Sequence, residues 1–252
     1  MSRTLLDKTI LVTREKSQAQ VFSNLLSSRG ANPIEIPLLK INCLQMSGEL
    51  KKKRFDWIFF TSAHGVTCFV EQLRDTSFFE TCKIATVGHK TELALKKYGL
   101  TADFIPTTYN AVVMAKEFLE KYPNASNLLL VRGSISRKEL IEAFTKHGVT
   151  YQTVTVYETN FNEEMRVTLI ETLTNERMDF LTFTSPSTVK AFYKFVQEDE
   201  KLEQYLQIPT ICIGTTTENC ALQLGFKYTF IPESFTIESM VDKLEEIVHM
   251  EG

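Results

Sequence analysis

FFTSAHGVTCFVEQL (59–73) and TFTSPSTVKAFYKFV (182–196) are two versions of one pattern. Each begins with apolar residues of strand type and turns on Thr-Ser. Each continues with apolar residues three and four apart, the spacing of one helix face (Val66, Phe69, Val70 and Leu73 in the first). A strand that feeds a helix through a tight polar turn is half of a βαβ unit, and chains built of such units form parallel sheets. Two copies in one chain predict an internal duplication. The 252 residues are comfortable for two α/β domains of about 100–150 residues each.

The match extends outward. Val87-Gly88 lies over Ile213-Gly214, Gly99 over Gly225 and Ile105-Pro106 over Ile231-Pro232, all 126 residues apart (88 to 214). Upstream, ILVTR (10–14) lies over LLLVR (128–132) and Gly30 over Gly148, 118 residues apart (30 to 148). Strands are expected at Thr9–Thr13, Pro33–Pro37, Asp56–Phe60, Lys83–Val87 and Phe104–Pro106. They recur at Asn127–Val131, Thr153–Tyr157, Asp179–Phe183, Pro209–Ile213 and Tyr228–Ile231. Helices are expected over Gln18–Ser28, His89–Lys97, Ala111–Lys121 and Arg137–Lys146, around Glu164–Leu173 and Thr188–Val196, over Thr216–Leu224, and finally up to about Val248. Polar Gln45–Lys53 and Gln197–Gln204 read as surface loops or helix tails, and Lys51–Arg54 as a solvated turn ahead of a strand. PLLKI (37–41) and TVTVYET (153–159) are both extended. Paired as an antiparallel ribbon, they would let each repeat start in one lobe and finish in the other. The residues alone leave that exchange open.

Composition narrows the function. Net charge is -3, with no Lys/Arg cluster beyond 51–54, so a nucleic-acid surface is not expected. No stretch approaches the ~20 apolar residues of a membrane helix, and MSRTLLDKTI lacks the apolar core of a signal peptide. Five cysteines (43, 68, 82, 212, 220) form no CxxC pair and read as reduced, mostly buried thiols of a cytoplasmic protein. The four histidines are scattered, so no metal site is expected. GxxxxGK[ST], GxGxxG at a strand–helix turn and GxSxG are all absent, which disfavours nucleotide enzymes and serine hydrolases.

In open parallel sheets ligands bind beyond the carboxyl ends of the strands. There the sequence repeats small and polar residues: Thr13-Arg14, Thr61-Ser62, Gly88, Arg132-Gly133-Ser134, Thr184-Ser185 and Gly214-Thr215-Thr216-Thr217. Ser, Thr and Gly at a helix start cap free N–H groups and let an anion approach them. Thr215 with Glu218 fits a capping box, and Pro186 fits the first helical position. Any one of these is read more readily as a plain cap. The set together suits a ligand with several carboxylates or phosphates held by backbone N–H groups. His64 follows a strand end, but its counterpart in the second half is Ser187. Tyr157, in the second extended crossing, would supply a weak acid if it faced the ligand.

VTRE (12–15), FTSAHGV (60–66), ATVGHKTELAL (85–95), LLVRGS (129–134), VTVYET (154–159), FTSPSTV (183–189) and CIGTTTENCAL (212–222) together resemble, in order, the uroporphyrinogen-III synthases, over roughly residues 9–248. The resemblance implies an α/β fold of two lobes, each a parallel β-sheet flanked by helices in flavodoxin-like order, joined by a two-stranded antiparallel ribbon. Lobe 1 would be 1–36 plus 160–252, lobe 2 would be 43–152, and the ribbon 37–42 with 153–159. It implies cyclisation of the linear tetrapyrrole hydroxymethylbilane, with loss of water and inversion of ring D through a spiro intermediate, to uroporphyrinogen III. No cofactor or metal is implied. Tyr157 matches the residue that assists hydroxyl departure. Thr61, Ser62, Thr91, Ser185, Thr216 and Thr217 match contacts to the substrate's eight carboxylates, Arg14 and Arg132 would add charge, and His64, Gly133, Ser134 and Thr215 complete the expected binding set. Thr215 stands where many relatives carry Pro, and His64 where Pro or Arg is common. A monomer that takes its substrate by transient hand-over from hydroxymethylbilane synthase is expected. The competing expectation is a non-catalytic two-lobed sensor for an anionic metabolite.

Overall fold

WIFF (57–60) is apolar throughout, as suits a strand covered on both faces, and all four residues are buried in the computed structural model. The structure describes residues 4–73, 76–136 and 138–251. In chain order its elements are β1 (Thr9–Val12), α1 (Lys16–Ser28), β2 (Asn32–Glu35), β3 (Leu39–Cys43), α2 (Gly48–Lys52), β4 (Trp57–Phe60) and α3 (Ala63–Val70). Next come β5 (Lys83–Thr86), α4 (His89–Lys96), α5 (Ala111–Lys121), β6 (Leu128–Gly133), α6 (Glu139–Lys146) and β7 (Tyr151–Phe161). The chain closes with α7 (Met165–Asn175), β8 (Phe180–Phe183), α8 (Pro186–Val196), α9 (Leu202–Tyr205), β9 (Thr210–Cys212), α10 (Thr215–Gln223), β10 (Thr229–Phe230) and α11 (Ile237–Glu251).

The chain divides into unit 1, Met1–Lys40 with Asn160–Gly252, and unit 2, Ile41–Thr159. The strand order in unit 1 is β10-β9-β8-β1-β2, with every neighbouring pair parallel. The second sheet runs β3-β7-β6-β4-β5, and β7, β6, β4 and β5 are mutually parallel. Beside β7, the Leu44 N–H donates to the Val156 carbonyl at 2.8 Å, and the Asn162 N–H donates to the Leu38 carbonyl at 2.9 Å.

Both sheets are covered twice. In unit 1 one face packs Phe183, Phe192 and Phe195, and the other packs Ile10, Val12, Phe22 and Met240. In unit 2 Phe60 and Phe69 lie in one cluster, and Trp57, Phe59, Phe118 and Phe144 in the other. Phe118 meets Trp57 and Phe59 edge-on at 4.9 and 4.8 Å, a favoured aromatic geometry. Gly30 (φ 93) and Gly148 (φ 66) follow α1 and α6 in the left-handed conformation that ends a helix without a Cβ clash. Among the described residues no helix is long and apolar enough to cross a membrane.

Several expectations need correction. Phe104–Pro106 forms no strand; one bridge, Ala85 to Phe104, is all that pairs there. The capping box at Thr215 does not form. Gly214 is the N-cap of α10 with no side-chain cap bond, and Glu218 instead accepts from the Thr229 hydroxyl at 3.2 Å. Gln45–Lys53 contains a short helix, α2, capped by Ser47, and α9 takes up the end of Gln197–Gln204. The helix expected from Arg137 begins at Glu139, and Arg137 lies outside the described residues. The cysteines are not all reduced: Cys43 and Cys68 are joined, with their Cα atoms 5.3 Å apart. This bond ties β3 to α3. Cys82, Cys212 and Cys220 remain free, and burial pushes the Cys212 thiol up to about 12.

The helix starts follow their expected chemistry more closely. Ser185 accepts from the Thr188 N–H at 3.2 Å, with Pro186 in the first turn of α8. Replacing Ser185 by Ala should therefore cost about 1 kcal/mol, read as a lower urea midpoint at unchanged slope.

Candidate active site

β4, β5, β6 and β7 are parallel, so their carboxyl ends share one edge of the sheet. Along that edge unit 2 carries a cavity of about 680 Å³. Thr61 and Ser62, after β4, line it together with Arg132 and Gly133 at the end of β6 and Tyr157 on β7. Five of the residues singled out in the sequence therefore meet in one place.

Tyr157 is aimed there by its neighbours. The β6–β7 register slips between Arg132 and Gly133, so that Arg132 pairs with Thr155 but Gly133 with Tyr157. Such a bulge re-aims the side chains that follow it. The ring then crosses Gly133 so closely that a Cβ there would stand 2.4 Å from Cζ. Its hydroxyl lies 3.0 Å from Ser62 Oγ. Ser62 is the N-cap of α3 and accepts from the Gly65 N–H at 3.0 Å. With that bond in place the Ser62 hydroxyl can donate to the Tyr157 oxygen, which leaves the phenolic hydrogen for another acceptor. The Tyr157 carbonyl accepts from the Ser134 N–H at 2.9 Å, and the His64 ring is tilted 5.9 Å from the Tyr157 ring.

Other expected residues have different surroundings. Arg132 is folded onto its own loop, where a guanidinium nitrogen donates to the Ser136 carbonyl at 3.1 Å. Thr91 is buried within the first turn of α4 and does not line the cavity. In unit 1, Thr13 and Thr182 are fully buried and bond across β1 and β8, Thr13 to the Thr182 carbonyl and Thr182 to the Leu11 carbonyl. Arg14 is half-buried and pairs with Gln18; burial lowers its pKa, against the pull of Glu15 and Glu238. Thr215 and Thr216 are exposed at the start of α10, whereas Thr217 is buried. The close pairing of Gly133 with Tyr157 had no sequence signal beyond a glycine at a strand end.

The family model described as uroporphyrinogen-III synthase HemD matches residues 20–242. The chain belongs to the uroporphyrinogen-III synthase family. This is a family of cyclising lyases in tetrapyrrole biosynthesis. A uroporphyrinogen-III synthase of Chlorobaculum parvum is 31% identical over 95% of this chain and 98% of its own length. The porphyrin biosynthesis protein HemD of Ruminiclostridium josui is 28% identical over 98% of this chain, and the chain spans about half (50%) of that protein. Among solved uroporphyrinogen-III synthase structures, that of Helicobacter pylori has a TM-score of 0.67 at 16% identity, covering 96% of this chain and all (100%) of the other. A Thermus thermophilus structure gives 0.57 at 16% identity, covering 97% of this chain and 100% of the other. These two likenesses show the shared fold.

Proposed function

We propose that this chain closes hydroxymethylbilane to uroporphyrinogen III with Tyr157 at the reacting end. The observation that carries the reading is the Tyr157 hydroxyl, held by the Ser62 cap inside the unit 2 cavity. The terminal C–O bond of the substrate breaks and the oxygen leaves as water, taking up one proton. A phenol placed against that oxygen donates a hydrogen bond as the bond lengthens. The cation that remains is attacked by the substituted carbon of the last pyrrole. The spiro intermediate rearranges, a proton is lost, and the ring closes with that pyrrole inverted. Holding the chain so that the right carbon meets the cation supplies several kcal/mol by orientation alone.

Helix N-termini at strand ends are suited to the carboxylates. In unit 2 these belong to α3 and α4, and in unit 1 to α8 and α10. Thr61, Ser62, Ser185, Thr215 and Thr216 lie at or beside those starts and are the hydroxyls assigned to substrate. The exchange of lobes between the two repeats is supported by matching sheet orders, β2-β1-β8-β9 beside β7-β6-β4-β5, and the ribbon by the neighbouring β3 and β7.

The test is direct. The protein is incubated with freshly made hydroxymethylbilane, and the oxidised uroporphyrin isomers are separated. Isomer III should dominate. Isomer I alone, at the spontaneous rate, ends the reading, and binding without turnover favours a sensor.

A further inference from the structure

Two rings outside the residues above share one setting. Tyr109 is 57% exposed and Phe235 is 59% exposed. A Cβ on Gly88 would stand 3.0 Å from Cγ of Tyr109, and a Cβ on Gly214 would stand 3.0 Å from Cγ of Phe235, so each ring rests on the bare backbone of a glycine. Both glycines are N-caps, of α4 and α10, with extended backbone. Each ring sits at the centre of a three-residue turn: Asn110 N–H donates to the Thr108 carbonyl and Thr236 N–H to the Ser234 carbonyl, both at 2.8 Å. Each precedes a helix-capping residue, Asn110 accepting from the Val113 N–H and Thr236 from the Ser239 N–H. The two settings are 126 residues apart (109 to 235).

An apolar residue before an N-cap commonly staples inward onto the fourth helical residue. Those residues here are Met114 and Met240, and both are already fully buried while Tyr109 and Phe235 each stay more than half exposed, Tyr109 with the His89 ring edge-on at 5.3 Å. A staple does not need a glycine beneath the ring either. In unit 2 the Tyr109 ring helps wall the cavity that holds Tyr157, beside Val112 and Ile135, which are themselves exposed.

We infer that Tyr109 and Phe235 are stacking platforms for pyrrole rings of the substrate, an assignment that rests on the cyclisation reading above. A pyrrole is flat and electron-rich, and it stacks on an aromatic face or points its N–H at one. The glycine fixes the platform by letting it lie on the main chain, so little side-chain freedom is lost when a ring lands on it.

Leucine separates platform from staple, because it serves the staple and lacks the flat face. Tyr109→Leu, Phe235→Leu and Tyr109→Phe are compared with the parent by melting temperature and by steady-state kinetics on hydroxymethylbilane. The Leu variants should melt with the parent, raise KM roughly three- to tenfold, change kcat less, and release more isomer I. Tyr109→Phe should recover most of the loss. A parent that makes isomer III, with Leu variants equal to it in KM and isomer ratio, overturns the platforms alone. A parent that makes only isomer I overturns the functional reading and the platforms with it.

Discussion

Tyr157→Phe should lower kcat for isomer III on the order of a hundredfold and leave the fold in place. General acids of this kind contribute roughly 10²–10⁴-fold, and the lower end applies because the substrate also ionises unaided. The phenyl ring would keep its seat on Gly133, since only the oxygen is removed. Ser62 would lose one partner 3.0 Å away but retain the Gly65 N–H, so the stability cost should stay near that of one hydrogen bond, about 0.5–1.5 kcal/mol. Rapid-quench assays against the spontaneous rate measure the first quantity, and urea unfolding the second. A kcat equal to the parent's would remove Tyr157 from the mechanism.

Gly133→Ala should be as damaging to turnover and worse for stability. The new methyl would lie 2.4 Å from Cζ, 2.6 Å from Cε2 and 2.8 Å from the hydroxyl of Tyr157, all far inside contact distance. Gly133 is the last residue of β6, and its N–H donates to Ser136 Oγ at 2.8 Å, so the ring is the part that must yield. Overpacking of this kind costs about 1–3 kcal/mol. Once displaced, the hydroxyl leaves Ser62. The diagnostic measurement is the double variant: if both changes act through one hydroxyl, Gly133→Ala adds little to the kcat loss of Tyr157→Phe. Independent, multiplying losses would show that Gly133 acts some other way.

The elements were legible where local pattern decides them. Helix α5 begins and ends at the expected Ala111 and Lys121, and Pro186 starts α8 beside its Ser185 cap. What failed depended on partners distant in sequence. Cys43 and Cys68 lie 25 residues apart and meet because β3 joins the second sheet next to β7 while α3 packs nearby. Glu218 was expected to close the start of its own helix, but Thr229 on β10 offers it another donor. The site was half legible. Thr61, Ser62 and Tyr157 can be named from strand ends and family resemblance. The seat of Tyr157 on Gly133, and those of Tyr109 and Phe235 on glycines, arise from backbones passing at close range, which no spacing in the sequence reports.

The division of the chain also bears on its synthesis. Strand β1 lies between β2 and β8, and its residues Ile10, Leu11 and Val12 are fully buried. Its partner β8 is not made until residue 180, after the whole of unit 2 has been translated. At about 5–20 residues per second, β1 waits roughly ten to thirty seconds on the ribosome with its apolar edge unsatisfied. Thr159, the last residue of unit 2, is made before Phe180, the first of β8, so the whole of Ile41–Thr159 is synthesised before β1 can gain its second neighbour.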